Sequence, residues 1–238
     1  MTEIRLQKFL AQAGVCSRRR GEKYILDGHV KVNGHVELNL GSKVDPLTDQ
    51  VEFCGKILKT EDRKMYIALN KPKGYITSCS QPGARIVLDL VNIPERVVPV
   101  GRLDKDSTGL LILTNDGDLH NALTHPSFDH EKEYDVTVKQ TISDKALQRM
   151  ADGLKVLGKK TRPATIKRIS SKRFLILLKE GRNRQIRRMT QMVGNDVAKL
   201  KRIRVSGVEL GNLEQGKWRH LTEKEIANLR QSLRAGRF

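Results

Sequence analysis

The residues after position 64 carry six short apolar or alternating runs, and this pattern limits the fold more than any other feature of the chain. Each run is bounded by Gly, Pro, Asn or Asp, as strands between turns are. Helical patterns occur between them, with Ser143 and Thr222 placed as N-caps. Strands with scattered helices predict an α+β domain and not a doubly wound sheet. The runs are 65–69, 96–100, 110–114, 132–138, 164–169 and 174–179.

The first sixty residues predict a separate, small helical and β domain. Leu6 and Phe9 have helical spacing, Ser17 is placed to cap a second helix, and Asn33 begins an Asn-Gly turn between short β-like runs. The charged segment 59–64 shows no periodicity, so we place the boundary there. The predicted domains are 1–60 and 65–238.

The chain is strongly basic, with 45 Lys and Arg residues against 27 Asp and Glu residues and a net charge of +18. The excess is uneven, because residues 154–204 contain 17 basic residues and only two acids, Glu180 and Asp196. Ordinary surfaces mix both signs, so this excess indicates a partner with dense negative charge, either nucleic acid or an anionic membrane surface. On the predicted helical pair of the first domain, the candidate phosphate contacts are Arg5, Lys8, Arg18, Arg19, Arg20 and Lys23.

Several classes of protein are disfavoured by what the sequence lacks. No apolar run approaches the roughly 20 residues that cross a bilayer, and no signal peptide is visible, so we expect a cytoplasmic protein with no membrane partner. Cys16, Cys54 and Cys79 are widely spaced and lack CxxC pairs, which argues against disulfides and structural zinc. Rossmann, Walker, HExxH and GxSxG motifs are missing as well. We therefore expect no cofactor and no metal.

Asp104 is the first candidate for chemistry. It lies in the segment GRLDKDSTG between Arg102 and Lys105, whose positive charges favour an ionised carboxylate. An ionised carboxylate serves as a nucleophile or as a base. Alternatively, an aspartate in such a segment only organises a turn by accepting backbone N–H groups. This turn-organising role fits Asp106, Asp116 and Asp118.

Two further motifs contain candidate binding residues. In EGRNRQIRRM, Arg184, Arg187 and Arg188 have the spacing of one helix face, where guanidinium groups either hold a carboxylate or phosphate or anchor the helix. In HEKEY, Tyr134 enters a strand in a chain with only 4% aromatic residues. It either packs in the sheet or stacks on an unstacked base beside a basic groove.

These motifs, in this order and with GKWRHLT at 216–222, resemble the RsuA-like family of ribosomal-RNA pseudouridine synthases and are most similar to its RluF-type branch. RLQKFLAQAGVCSRR and the later VKVNG resemble an S4 RNA-binding domain. The similarity covers nearly the whole chain. It implies an S4-like domain followed by a catalytic domain that has a mixed, mainly antiparallel sheet with flanking helices.

The resemblance also implies an activity and site residues. The expected reaction is isomerisation of one uridine in a structured stem-loop of ribosomal RNA, with large-subunit (23S) RNA favoured and small-subunit (16S) RNA as the alternative. Arg184 and Arg188 are expected to bind substrate. Alternation along the strand does not decide between Leu177 and Ile176 as the residue that lines the base pocket, and Leu177 is our choice. The remaining expected roles are catalysis for Asp104, holding of the flipped nucleotide for Arg102, stacking on the uracil for Tyr134 and pairing with the carboxylate for Arg187.

Two other classes stay open at this point. A non-catalytic RNA-binding or ribosome-assembly protein would explain the charge, although it gives no reason for Asp104 to lie between cations. A magnesium-dependent nuclease would need acids from the turns around Asp104, but Arg102 and Lys105 would repel a divalent ion. We expect a monomer. Which uridine is modified, and whether transfer RNA is also a substrate, cannot be read from the sequence.

Overall fold

The computed structural model describes residues 3–60, 63–124 and 130–235. The chain divides into two compact units, the first formed by Met1–Lys64 with Pro94–Arg96 and the second by Met65–Ile93 with Val97–Phe238. Each unit has a buried apolar core of its own.

The first unit contains two short helices and small antiparallel sheets. Helix α1 (Leu6–Gln12) buries Leu6, Phe9 and Leu10. Helix α2 (Arg18–Leu26) is capped at Ser17, whose Oγ accepts the N–H of Arg20 at 3.3 Å. The strands are β1 (Ile4–Arg5), β2 (Val30–Val32), β3 (His35–Val36), β4 (Lys43–Val44), β5 (Val51–Phe53) and β6 (Lys56–Ile57), paired β1 with β4 and in the order β3-β2-β5-β6.

The second unit contains one large sheet. Its strand order is β13-β14-β10-β15-β9-β7-β17, with β16 beside β15 and β8 beside β9. The β9–β15 pair is parallel and the other pairs are antiparallel, which confirms the predicted α+β class with a mixed, mainly antiparallel sheet. Strands β11 and β12 form a separate hairpin. The strands are β7 (Tyr66–Lys71), β8 (Val98–Val100), β9 (Thr108–Thr114), β10 (Lys132–Val138), β11 (Lys155–Val156), β12 (Lys159–Lys160), β13 (Thr165–Ser170), β14 (Arg173–Leu178), β15 (Val197–Val205), β16 (Val208–Glu209) and β17 (Trp218–His220).

The helices that follow Ser143 and Thr222 begin at polar side-chain caps. Ser143 accepts the N–H of Ala146 at 3.2 Å, and Thr222 and Glu225 form the predicted capping box at the last helix. None of the helices described is long and apolar enough to cross a membrane. They are α3 (Gly117–Thr124), α4 (Asp144–Ala151), α5 (Gln185–Met192) and α6 (Glu223–Ala235), with a 3₁₀ turn at Val87–Leu90.

Strand β9 shows how the large sheet buries both faces. Leu111 and Leu113 join one core with Phe174 of β14, while Leu110 and Ile112 join a second core on the opposite face. A strand covered on both faces reads as a continuous apolar run, as LLIL does. Helix α5 packs on the first of these faces through Ile186 and Met189, together with Leu103, Tyr134 and Ile176.

One row of paired residues crosses this face from β7 to β14. Lys71 pairs with Gly109, Gly109 with Arg202, Arg202 with Tyr134, and Tyr134 with Ile176. Gly109 has a φ of +102°, and a Cβ there would lie 2.2 Å from the carbonyl oxygen of Arg202. Only glycine fits this close approach between β9 and β15.

Candidate active site

Asp104 lies in the loop between β8 and β9. Leu103 before it and Ser107 after it are buried, at 6% and 1% exposure, whereas the Asp104 side chain is 30% exposed. The N–H of Ser107 donates to the carbonyl oxygen of Asp104 at 3.0 Å. The loop backbone is therefore anchored on both sides while the carboxylate stays open to a ligand.

Lys71 holds this loop from the end of β7. Its side chain is fully buried, and Nζ donates to backbone carbonyls that include that of Ser107 at 2.8 Å. Burial lowers the pKa of Lys71 to about 8; the charge of Arg202 acts in the same direction, and Asp104 and Asp106 oppose it. Lys71 was not predicted from the sequence. The one signal for it was its place in NKPKG, at the end of an apolar run.

The segment after β7 makes two more contacts with the same loop. The N–H of Gly74 donates to the carbonyl oxygen of Lys105 at 2.9 Å. The hydroxyl of Thr77 donates to the carbonyl oxygen of Leu103 at 2.8 Å and accepts the N–H of Leu103 at 3.2 Å. The residues directly before and after Asp104 are thus bound to one segment, residues 71–77.

The guanidinium of Arg184 forms an ion pair with the Asp104 carboxylate. Its Nη1 atom lies 3.8 Å from Oδ2 of Asp104, with side chains that are 44% and 30% exposed. Arg184 does not belong to the helix face expected from its spacing, because it is the residue before α5 and has left-handed φ and ψ of 51° and 33°. This turn directs its side chain toward the loop.

Arg187 lies on α5 beside the same loop. Its Nη2 donates to the carbonyl oxygen of Asp106 at 3.2 Å, so the ion pair that was expected from Arg187 comes instead from Arg184. Its Nε is buried and has no hydrogen-bond partner in the described chain. Burial and the neighbouring Arg184 lower the pKa of Arg187, against the opposing charges of Asp104 and Asp106. A buried donor without an acceptor is suited to an acceptor that a ligand brings.

Arg188, the third candidate arginine of EGRNRQIRRM, stabilises the turn before α5. Arg188 donates to the carbonyl and side-chain oxygens of Asn183 at 3.1 and 3.3 Å. The buried Gln185 donates to Glu180 at 2.7 Å. Arg188 therefore holds the turn that orients Arg184, and no other hydrogen bond of its guanidinium is found among the described residues.

Tyr134 is 9% exposed on the face that carries Leu103 and α5. Its neighbours across the strands are Ile176 and Arg202. Leu177 pairs with Glu133 and therefore points to the opposite face, so the strand register favours Ile176 over Leu177 as a residue of the pocket. Arg102, at the start of the loop, is exposed.

The acids considered for a metal do not gather in the described residues. Asp116 accepts the N–H groups of Asp118 and Leu119 at 3.1 Å each, and the hydroxyl of Tyr66 at 2.8 Å. It organises the start of α3, where the sequence had indicated only a turn. Within the described ranges, no group of three or more His, Cys, Asp or Glu side chains could hold a metal ion.

The basic residues proposed on the first unit lie on its surface. Ser17 begins α2, and the run of three arginines follows directly. Arg20 stacks over the ring of Tyr24, with 5.4 Å from Cζ to the ring centroid. Arg5, Arg18, Arg19, Arg20 and Lys23 are exposed, and Lys8 is half-buried.

Comparison with known families matches both units. A model described as RNA pseudouridylate synthase matches residues 65–192, and an S4 domain model matches residues 4–51. A solved structure titled as a pseudouridylate synthase is 31% identical, with a TM-score of 0.70 over 95% of this chain and 99% of the other.

Curated relatives cover almost the whole chain. An uncharacterised RNA pseudouridine synthase of Aquifex aeolicus is 45% identical, over 96% of this chain and 94% of its own. The ribosomal large subunit pseudouridine synthase B of Bacillus subtilis is 41% identical, over 95% of each chain. The dual-specificity RNA pseudouridine synthase RluF of Escherichia coli K12 is 40% identical, over 96% of this chain and 79% of its own.

Proposed function

Because this chain belongs to the RNA pseudouridylate synthase family and carries an S4 domain, it is an RNA pseudouridine synthase, and we propose that it isomerises a uridine of large-subunit ribosomal RNA with Asp104 as the catalytic carboxylate. The observation that carries the proposal is the placement of Asp104. Its carboxylate is partly exposed on a loop that is held from both sides, and a guanidinium lies 3.8 Å away.

The reaction needs a group that can act as nucleophile or base, and a surface that receives an extruded base. The N1–C1′ bond breaks, the uracil turns within the site, and C5 bonds to C1′. C5 loses its proton and N1 gains one, so substrate and product contain the same atoms. The isomerisation has no net redox change and transfers no group from a donor. Protein side chains therefore suffice, and we expect activity to survive EDTA.

Tyr134 and Arg102 are proposed to receive the flipped nucleotide. Extruding a base costs a few kcal/mol, and stacking on an aromatic ring offsets about 1–3 kcal/mol of that. Ile176 lies beside Tyr134 on the same face and is proposed to line the pocket. Arg184 is proposed to orient the Asp104 carboxylate, and the buried Nε–H of Arg187 is proposed to donate a hydrogen bond to an acceptor atom of the substrate.

Large-subunit RNA is the proposed substrate because the Bacillus subtilis relative is named for that subunit. The basic segments of both units supply phosphate contacts to such a substrate. Mapping pseudouridines in ribosomal RNA from a strain without this protein tests the target. Loss of one large-subunit position is expected, whereas loss of a small-subunit position would contradict the assignment. A cytoplasmic location and a monomeric state stay predictions.

The proposed role of Asp104 is tested by Asp104→Asn. This change removes the ionised carboxylate, so we expect pseudouridine formation to be abolished. It keeps the shape of the side chain, so we expect the Kd for RNA to stay within about threefold. Asp106→Asn is the matched control, since Asp106 is an exposed acid of the same loop, and we expect it to stay within about tenfold of wild type. An active Asp104→Asn enzyme would reject the catalytic role.

A further inference from the structure

Thr77 is a buried polar residue that the proposed reaction does not use. Its side chain is 4% exposed, and its hydroxyl makes two hydrogen bonds with a single residue, Leu103. It donates to the carbonyl oxygen at 2.8 Å and accepts from the N–H at 3.2 Å. Both polar backbone groups of the residue directly before Asp104 are therefore bound by one hydroxyl.

Thr77 is itself held firmly. The preceding residue, Ile76, forms a parallel bridge with Ile86. The N–H of Ile76 donates to Arg85 at 2.9 Å, and its carbonyl oxygen accepts the N–H of Val87 at 3.0 Å. Val87 is fully buried in the same core as Leu103. The Thr77 hydroxyl therefore fixes the loop at Leu103 to a segment that is itself held by backbone hydrogen bonds and packing.

The opposite side of Asp104 is bound from the same segment. Gly74 donates to Lys105 at 2.9 Å, and Lys71 donates to Ser107 at 2.8 Å. Without the Thr77 hydroxyl the loop would keep its hydrogen bonds after Asp104 but lose both hydrogen bonds at Leu103, which would then be held by the packing of its side chain. The carboxylate would then turn about the remaining anchor.

We propose that Thr77 is a positioning residue, which fixes the backbone at Leu103 and so aims the carboxylate of Asp104 at the target nucleotide. This inference rests on the proposed role of Asp104. A displacement of about 1 Å at a reacting group costs on the order of 100-fold in rate. Thr77 does not touch substrate in this proposal, so its loss reduces the rate of the chemical step and leaves RNA affinity unchanged.

A purely structural role would produce a different result, and the chain offers a matched control. Thr114 is also fully buried, donates to the carbonyl oxygen of Met65 at 2.6 Å and accepts the N–H of Asp116 at 3.0 Å. It lies at the end of β9, whereas Asp104 lies before the start of that strand. Replacing either threonine by valine removes a buried hydroxyl with two hydrogen bonds, but only one change affects the loop.

The test uses the full chain with a ribosomal-RNA transcript, and measures the single-turnover rate, the Kd for RNA and the Tm. Thr77→Val is expected to lower the rate by about 10- to 100-fold with the Kd within about threefold, and Thr77→Ser to restore the rate to within about threefold of wild type. Thr114→Val is expected to lower the Tm comparably and to keep the wild-type rate at a temperature where it is folded. Thr77→Ala serves if the valine variant does not fold.

Three results would overturn the inference. They are a wild-type rate in folded Thr77→Val or Thr77→Ala, an equal loss of rate in Thr114→Val, and a Thr77→Ser enzyme as slow as the variant without the hydroxyl. Asp104→Asn is measured beside them. If Asp104→Asn is inactive while the Thr77 variants are normal, only the positioning role fails. If Asp104→Asn is active, the proposed function itself fails.

Discussion

The Nη1 atom of Arg184 lies 3.8 Å from Oδ2 of Asp104, and Arg184 reaches this position from a left-handed backbone conformation just before α5. The pair is partly exposed, so its contribution to the free energy of unfolding is at most about 1 kcal/mol. We propose that the pair instead serves to orient the carboxylate.

Arg184→Asn separates the contribution of the ion pair to stability from its contribution to the reaction rate. The change removes the guanidinium but keeps the backbone, because asparagine tolerates left-handed φ better than most residues. We expect the single-turnover rate to fall about tenfold, with a change in unfolding free energy below about 1 kcal/mol. Arg184→Lys keeps the charge and is expected to recover part of the rate. A wild-type rate in Arg184→Asn would show that the ion pair does not orient the carboxylate.

The pKa of Lys71 predicts a pH-dependent stability. Burial lowers this pKa from 10.5 to about 8 in the folded protein. Below pH 8 the Lys71 amine is protonated in both the folded and the unfolded protein. Between pH 8 and 10.5 it is protonated only in the unfolded protein. The free energy of unfolding therefore rises with pH across this window, by up to about 3 kcal/mol.

Urea unfolding of wild type and Lys71→Met at several pH values isolates this effect. Other titrating groups contribute equally to both proteins, so their contributions cancel when the two free energies of unfolding are subtracted. The wild-type stability minus that of the variant is expected to grow from pH 8 upward. A difference that stays constant up to pH 10 would show that Lys71 titrates normally.

Much of the fold was predictable because local signals agreed with the final packing. Strand β10 has its predicted bounds, and the caps at Ser17 and Ser143 begin the expected helices. Strand β15 was not predicted, since Lys199 and Lys201 interrupt its apolar pattern. It forms because it pairs with β10 on one side and β9 on the other, and these long-range pairings are not encoded in the local sequence.

The site was predictable to the extent that its chemistry is visible in residue type. Asp104 and Arg184 are a carboxylate and a guanidinium in distinctive motifs. Lys71 and Thr77 act through contacts with backbone groups of a loop about 30 residues away in the chain, and such contacts appear only in the folded structure. The choice between Leu177 and Ile176 likewise required the register of β14 against β10.

The arginines at the start of α2 predict a salt-dependent RNA affinity. Changing Arg18, Arg19 and Arg20 together to Gln is expected to weaken binding and to reduce the slope of log K against log salt concentration by about 2–3. The matched control changes the same residues to Lys, which keeps the charge and is expected to keep the slope. An unchanged slope in the Gln variant would remove these residues from the RNA interface.

Gly109 is expected to be intolerant of a side chain. A Cβ would lie 2.2 Å from a backbone oxygen of Arg202, and φ is +102°. Gly109→Ala is therefore expected to cost about 2–4 kcal/mol of unfolding free energy, measured by urea unfolding. Gly117→Ala is the control, because nothing lies within 4 Å of a Cβ there. Equal stability of the two variants would contradict the close approach of β9 and β15.

Ile176 and Leu177 provide a paired test of which face of β14 meets the uracil. Ile176 lies opposite Tyr134 and is fully buried, while Leu177 lies opposite Glu133 on the other face and is half-buried. Ile176→Val removes one methyl group beside the ring, at a cost of about 0.5–1.5 kcal/mol in stability. Leu177→Val shortens the side chain on the opposite face by one methylene group.

Single-turnover rates are compared at a temperature where both proteins are folded. Ile176→Val is expected to slow pseudouridine formation about three- to tenfold, because a looser pocket lets the base shift from the attacking geometry. Leu177→Val is expected to react at the wild-type rate. The reverse order of rates would place the base on the Leu177 face, and since Tyr134 lies on the other side of the sheet, it would also remove Tyr134 from the stacking role.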